Sequence, residues 1–310
     1  MGGANLKMAD GSEATVHYCP LWEDASLADL LREYRKQHGD PAAAVVMSGE
    51  LADCFRSKME GIRWIVDAVR EAYPDAWFYG TDGKFHDGAV PQLAAANWLA
   101  AADWLRGEHP HAVWVDMGST TTDIIPLGNF NALLGLTDLL RLQRGYLVYT
   151  GLLRTPVAML LARVTLQGRP TPLATEHFAI AADAHLVLGD ITPDQYTCDA
   201  PDQGEKTVEG ALRRLARTVC ADLDEIQAAG ARQVAQQFWE AQLHAIRRGV
   251  AMVKKTGGIR QVIASGIGSA LLARELPAGD LRDTLGPLSD TLPAHAVREV
   301  ALRTGGSSPR

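Results

Sequence analysis

The chain has 310 residues, 47% of them hydrophobic and 22% charged, enough for two domains of roughly 150 residues and a substantial buried core. Acidic residues outnumber basic ones by 37 to 30, and the net charge of −7 is spread without any block of like charge, which excludes nucleic-acid binding through a broad basic surface. No apolar run reaches the roughly 18–20 residues of a membrane span, no basic-then-apolar leader opens the chain, and cysteines 19, 54, 198 and 220 are too scattered for a Cys-x-x-Cys site. A protein of the reducing cytoplasm that works on small molecules, without membrane or nucleic-acid partners, is the expectation, and a homo-oligomer is compatible with it.

The chain opens on Gly2-Gly3-Ala4-Asn5-Leu6-Lys7, which reads as a tight glycine turn with no strand ahead of it. Ser26, with Asp29 three positions on, caps a helix whose apolar face is Leu27, Leu30, Leu31 and Tyr34 and which stops at Gly39. A buried strand at residues 43–47 leads to a long helix striped by Phe55, Met59, Ile62, Val66, Val69 and Tyr73 and ended by Pro74. After a strand at 76–79, Pro91 opens a third helix through Leu93, Asn97, Ala100 and Trp104. Glu108-His109-Pro110-His111 is the expected boundary between a first α/β domain, 1–108, and a second, 109–310, with a helical insertion and a C-terminal helix.

The second half begins with a hairpin-like pair, Val113–Asp116 and Thr122–Leu127. An alanine-rich helix is expected over Thr175–Leu188, a loop over Thr192–Thr207, and a helical face at Leu212, Leu215, Val219, Leu223 and Ile226, broken at Gly230 before a further helix with Val234, Phe238, Ala241 and Val253. A strand at 261–264 precedes a second glycine turn, and the tail Thr304–Arg310 is expected to be disordered. Short buried strands alternating with helices predict an α/β fold, whose ligands gather at the carboxyl ends of strands.

The strongest chemical signal lies at such an end. In Asp116-Met117-Gly118-Ser119-Thr120-Thr121-Thr122-Asp123, Gly118 lets main chain approach an anion, and the hydroxyls and N–H groups of Ser119, Thr120, Thr121 and Thr122 can donate to phosphate oxygens. Carboxylates facing a phosphate repel it unless a cation intervenes, so Asp116 and Asp123 are candidate Mg²⁺ ligands; a plain hairpin with strand-favouring threonines is the competing reading. Ser265-Gly266-Ile267-Gly268-Ser269 follows a strand and opens a helix, which suits either a phosphate contact through Gly266, Gly268 and Ser269 or a simple tight turn. Arg154 is a candidate clamp for phosphate oxygens, which a guanidinium fork matches, or a surface ion pair, and Lys7 serves the same end or points to solvent. Glu50 and Asp53 follow a strand-end glycine, where either could accept a proton, bind a substrate ammonium, or simply complement a helix N-terminus. Asp183 and Asp190 flank an apolar segment; a buried Asp183 needs a partner, from substrate or metal, while Asp190 suits a cap. His109, His111, His177 and His185 lack close metal-ligating neighbours and read as structural; Trp64, Trp98, Trp104 and Trp114 read as core.

Taken together, Gly-Gly-Ala-Asn-Leu-Lys (2–7), Asp-Met-Gly-Ser-Thr-Thr-Thr-Asp (116–123) and Ser-Gly-Ile-Gly-Ser-Ala (265–270) resemble the two phosphate loops and the C-terminal glycine motif of the hydantoinase/oxoprolinase branch of the actin/sugar-kinase/Hsp70-like superfamily. Segments 47–53, 147–156 and 182–190 resemble one narrower group in that branch, the tetrahydromethanopterin-linked C1-transfer pathway proteins of methanofuran biosynthesis. The matches run from residue 2 to about 275. The resemblance implies a two-domain, duplicated ribonuclease H-like fold with a central cleft. It also implies a transferase that joins an aminomethylfuran, activated as its methyl diphosphate, to the phenol of a tyramine- or tyrosine-type acceptor, releasing diphosphate in methanofuran or methylofuran synthesis. On that reading Gly3, Asn5, Lys7 and residues 118–122 hold the diphosphate with Mg²⁺, Thr150, Asp53 and Asp183 contact substrate, Glu50 and Arg154 serve catalysis, and ATP is not required. An ATP-dependent kinase, a ring-opening hydrolase, or a non-catalytic phosphate-ligand sensor are the alternatives. The resemblance further implies an apolar strand ending in Asp ahead of the first glycine pair. With none preceding Gly2, residue 1 is expected to be internal to the natural gene product, because removing an interior strand exposes its neighbours' edges.

Overall fold

The computed structural model describes residues 1–23, 26–39, 42–257, 259 and 261–305; the expectation for the tail falls mostly at 306–310, outside them. In chain order the elements are β1 (Asn5–Ala9), β2 (Ala14–Tyr18), α1 (Leu27–His38), β3 (Ala44–Val45), α2 (Lys58–Ala72), β4 (Trp77–Tyr79), β5 (Phe85–His86), α3 (Asn97–Leu105), β6 (Ala112–Met117) and β7 (Thr122–Pro126). They continue with α4 (Asp138–Arg144), β8 (Leu147–Val148), α5 (Val157–Leu160), β9 (Arg163–Leu166), β10 (Arg169–Pro172), α6 (Ala181–Leu188), α7 (Val208–Arg217) and α8 (Leu223–Gly257). The last are β11 (Gln261–Ser265), α9 (Ser269–Glu275), β12 (Ala278–Asp280), α10 (Arg282–Leu285) and α11 (Leu292–Arg303).

The fold is α/β with mixed sheets. The principal sheet has the order β12-β11-β6-β7-β8, in which β7 runs antiparallel to the other four strands. A smaller sheet, β3-β4-β5, and two hairpins, β1-β2 and β9-β10, complete the strands. Val113, Val115, Met117 and Ile124 pack one face of the large sheet on the helical layer of α6, α7 and α8. Trp114, Ile125 and Ile263 pack the other on α3 and α11. Burial on both faces is why β6 reads as an uninterrupted apolar run. Glu108–His111 is a turn from α3 into β6, and the α3–α11 core continues across it.

Several boundaries differ from the sequence reading. Residues 5–7, expected in a glycine turn, belong to β1; the hairpin closes at Asp10, whose carboxylate accepts from the amides of Ser12 (2.9 Å) and Glu13 (2.8 Å), with Gly11 at φ +105°. The helix expected from Pro91 is interrupted, because the Gln92 carbonyl is taken by the amide and hydroxyl of Thr81 (2.7 and 3.0 Å) and Ala95 sits at φ +48°. Gly230 does not break a helix; the interruptions lie between α7 and α8 and at Gln227, φ +57°.

Asp183, expected at the substrate, is instead the centre of the helical layer. It accepts from Arg214 Nη2 at 2.7 Å, from the Tyr196 hydroxyl at 3.0 Å and from the Ile180 amide at 3.0 Å. Arg214 and Asp183 are 1% and 0% exposed, and the acceptor positions of Asp183 are filled by these protein donors rather than by a ligand. His185 is structural as expected, with Nδ1 2.9 Å from Asp190 and Nε2 2.9 Å from Gln242; Asp190 pairs with His185 and Arg274 rather than capping a helix. Removing one partner of such a pair strands the other charge in the core. Asp183→Ala should therefore cost about 3–5 kcal/mol, read as an earlier urea midpoint with an unchanged slope.

Candidate active site

Strand register assembles the site. Ser265 on β11 pairs with Asp116 on β6, and Asp116 pairs with Asp123 on β7, so three polar side chains stand in a row on one face at three adjacent strand ends. The Ser265 hydroxyl donates to Asp116 Oδ1 and accepts from the Trp114 indole N–H at 2.8 Å. Burial, reinforced by the neighbouring charge of Asp123, lifts the Asp116 carboxyl from its ordinary 3.8 to about 6. Asp123 is paired with Arg141 of α4, which also bonds Asp138 at 2.7 Å and lies 4.5 Å over the Trp98 ring. Burial pushes Asp123 upward as well, against the Arg141 guanidinium.

The same parity turns Thr122 away. Alternation along β7 puts it on the opposite face from Asp123, where it is fully buried and its hydroxyl donates to the Thr150 carbonyl at 2.7 Å. It is a tether of the turn rather than a phosphate donor. Gly118, Ser119, Thr120 and Thr121 form the turn itself, half-buried at the cavity. Its underside is held by the following loop: the amides of Leu152, Leu153 and Arg154 donate to the carbonyls of Gly118 and Ser119 at 2.9–3.0 Å. A Cβ on Gly151 would stand 2.6 Å from Ser119 and Thr120 main chain, so glycine is required for this approach. Thr150 is buried, bonded to Gln242 (2.7 Å) and Thr155 (3.0 Å), and does not face the cavity; its expected substrate contact is corrected to support of the turn.

The second glycine motif is likewise packing. At Gly266, φ +85°, a Cβ would lie 2.6 Å from Asp116 Oδ1 and from the Met117 carbonyl, and at Gly268 it would strike the Met117 side chain. Ser269 is fully buried, and none of the three lines the cavity. Their smallness lets β11 and α9 close on the end of β6 and leaves room for the Asp116 carboxylate.

The cavity has a volume of about 1770 Å³. Asp116, residues 118–121, Asp123 and Arg154 line it together with Gly2–Lys7, Trp22 and Ser48–Asp53. Leu6 is buried in the core, so Asn5 and Lys7, one residue either side, share the opposite face of β1. Lys7 Nζ donates to the Asp290 carbonyl at 2.7 Å and lies near enough to Asp116 to favour its charged form. Asn5, Ser119 and Arg154 meet around one small recess, and the Arg154 guanidinium stacks 5.7 Å from the Trp22 ring centroid. Asp53 is exposed at the cavity, while Glu50 is 2% exposed. The structure thus brings together Gly3, Asn5, Lys7, Glu50, Asp53, Asp116, Gly118, Ser119, Thr120, Thr121, Asp123 and Arg154. Arg141 and Trp22 escaped the sequence reading; the Thr137 cap and the Asp138–Arg141 spacing of three were the available signal for the first, and none marked the second.

Among the described residues no group of three or more His, Cys, Asp or Glu side chains converges. Asp123 is also committed to Arg141, so the expected pair of aspartate ligands is not free as a pair. Asp116 alone still suits Mg²⁺, which is held by one or two carboxylates with water and substrate phosphate oxygens completing its shell. No helix among the described residues is long and apolar enough to cross a membrane.

The raised carboxyl of Asp116 carries a stability consequence. Between about pH 4 and 6 the folded chain keeps a proton that the unfolded chain has released, so stability falls as pH rises through that window and stays lower above it. In metal-free buffer, Asp116→Asn should be more stable than the parent at pH 7 by about 1–3 kcal/mol and equal to it near pH 4. Thermal melts at the two pH values check this; an Asn variant less stable at pH 7 contradicts it.

Residues 42–279 match the hydantoinase/oxoprolinase family. A protein of Methanocaldococcus jannaschii, named (4-{4-[2-(gamma-L-glutamylamino)ethyl]phenoxymethyl}furan-2-yl)methanamine synthase, is 35% identical over 97% of this chain and 95% of its own length. A protein of the same name from Methanococcus vannielii is 35% identical over 52% of this chain and 73% of its own length. Among solved structures, a nucleotide-free acetone carboxylase is similar at a TM-score of 0.43 and 10% identity; the match covers 96% of this chain and about half (51%) of that one. By the match over residues 42–279 and the near full-length kinship, the chain belongs to the hydantoinase/oxoprolinase family.

Proposed function

We propose that the protein is a transferase that makes the aryl ether of a methanofuran-type or methylofuran-type C1 carrier. The name shared by the two relatives describes a phenoxymethyl link between a furan bearing an aminomethyl group and a ring bearing a γ-glutamylaminoethyl arm. The name implies the phenol of γ-glutamyltyramine as acceptor, and this reading takes an aminomethylfuran-methyl diphosphate as the donor. This reading takes the fold as the two-domain, actin/sugar-kinase/Hsp70-like arrangement, with residues 1–108 and 109–310 on either side of the cavity, in a cytoplasmic protein of tetrahydromethanopterin-linked C1 metabolism.

The observation that carries the reading is the donor-rich turn Ser119–Thr121 opening on the cavity beside Arg154 and Lys7, in a chain collinear with the Methanocaldococcus jannaschii relative over nearly its whole length. Diphosphate binds the turn through amides and hydroxyls, and the two cationic side chains stabilise the charge that grows as the carbon–oxygen bond breaks. Mg²⁺, when bound at Asp116, supplies further charge neutralisation on the leaving group. The bond's electron pair leaves with diphosphate, the furan ring supports positive charge on the methylene carbon, and the phenol oxygen bonds to that carbon. The phenol, with an ordinary pKa of about 10, becomes a strong acid as this bond forms, and Asp53, exposed at the cavity, is placed to take its proton. Trp22, Leu51, Leu142 and Tyr149 are exposed and line the cavity, a surface suited to two aromatic rings.

Incubation with the furan diphosphate, γ-glutamyltyramine and Mg²⁺, without ATP, should release one diphosphate per ether formed, followed by mass spectrometry and a diphosphate assay. Arg154→Met should lower kcat/KM by about 10–100-fold, the worth of a charge-assisted hydrogen bond. Turnover only with added ATP would sink the reading in favour of a kinase or hydrolase.

A further inference from the structure

Glu50 is a buried titratable group that the reaction above leaves without a role. It lines the cavity and is 2% exposed, yet its Oε2 has no hydrogen-bond partner. Its own amide and that of Ala95 donate to the carboxyl group, and burial pushes its pKa up. The charged groups around it are Lys58, Asp138 and the amino group of Met1, none of which hydrogen-bonds it. Its main chain is fixed: Gly61 of α2 packs so closely that a Cβ there would lie 2.2 Å from the Glu50 carbonyl oxygen.

A desolvated carboxylate with an empty acceptor site is costly unless a cation completes it. Lys7 and Arg154 are the cationic side chains beside the turn, and the carboxyl oxygen left without a partner belongs to Glu50, in the segment 48–53 that lines the same cavity. The furan donor has the matching polarity, diphosphate on one side of its ring and a primary ammonium on the other.

We propose that Glu50 is the ammonium site of the furan substrate, its Oε2 accepting from the aminomethyl group and so orienting the ring with its methylene carbon toward the turn. The proposal rests on the transferase reading for the identity of the ligand, and it makes Glu50 a specificity residue rather than the acceptor of the phenolic proton.

The test compares three donors: the aminomethyl compound, its N-acetyl derivative, and the analogue with methyl in place of aminomethyl. Binding is measured by calorimetry and turnover by diphosphate release, for the parent protein and Glu50→Gln. The parent should prefer the free amine over both analogues by about 10–100-fold in Kd and KM. In Glu50→Gln that preference should vanish, with the loss falling on the furan substrate and not on the KM of the phenol. Equal binding of amine and acetyl donors by the parent protein overturns the proposal without recourse to any variant. A kcat loss in Glu50→Gln shared by all three donors overturns it in favour of a proton-transfer role. Binding preference without ether formation would refute the transferase reading and leave the ammonium site standing; ether formation without preference does the reverse.

Discussion

Two carboxylates on adjacent strands, facing the same way at the edge of a cavity, are the constraint around which this molecule is arranged. Asp116 and Asp123 are opposite one another across β6 and β7, and each is raised by burial. The chain resolves the repulsion asymmetrically. Asp123 receives a guanidinium, from a helix placed 18 residues on, and Asp116 receives only a hydroxyl, itself fixed by the Trp114 indole. A carboxylate given a hydroxyl rather than a cation stays short of positive charge, and so remains available to something that enters the cavity. Register enforces the arrangement, since a slip of one residue in β6 or β7 would bury the aspartates beneath the sheet and bring Met117 and Thr122 to the cavity.

The glycines follow from that constraint. Gly266 leaves room for the Asp116 carboxylate, Gly268 for the Met117 side chain below it, and Gly151 for the loop that buttresses the turn. Each lies where two main-chain segments or a segment and a functional side chain come within contact distance, which a Cβ would forbid. The turn at residues 118–121 is therefore a surface feature built on a close-packed junction of β6, β11 and the loop after β8. The positions most sensitive to added volume are not those that would touch a ligand.

This explains which parts of the site were legible in the sequence. The turn at Asp116–Asp123 was, because strand, glycine, hydroxyls and strand are contiguous and the chemistry of each is local. The alternation that separates Thr122 from Asp123, or Leu6 from Asn5 and Lys7, is also local, but its sense depends on which face meets the core. Asp183 and Thr150 were misassigned because their partners are remote: Arg214 lies 31 residues away and Gln242 lies 92. Arg141 was hidden for the same reason, its helix being only two turns long and its partner in another strand. The helices themselves were found where apolar stripes were long, as in α1 and α2, and misplaced where a side chain or main-chain bond elsewhere decided the break, as at Gln92.

Segments 147–156 and 182–190 contain few of the residues at the cavity, and one chain of buried polar contacts ties them together. Gln242 of α8 donates to Thr150 Oγ1 at 2.7 Å and to the Gly151 carbonyl at 2.8 Å, while its Oε1 faces His185 Nε2 at 2.9 Å, and His185 Nδ1 faces Asp190. Thr150 in turn holds the Thr122 hydroxyl. One buried polar chain thus runs from Asp190 at the edge of the helical layer to the base of the turn at residues 118–121, with Gln242 completely enclosed at its middle. Buried networks of this kind tolerate no missing member, because each loss leaves an unsatisfied group in a medium of low dielectric constant. Their residues are fixed together even where they are distant in sequence and touch no ligand. The two segments thus support the turn from below, and Asp116, Ser119, Arg154 and Lys7 are among the side chains that stand at the cavity.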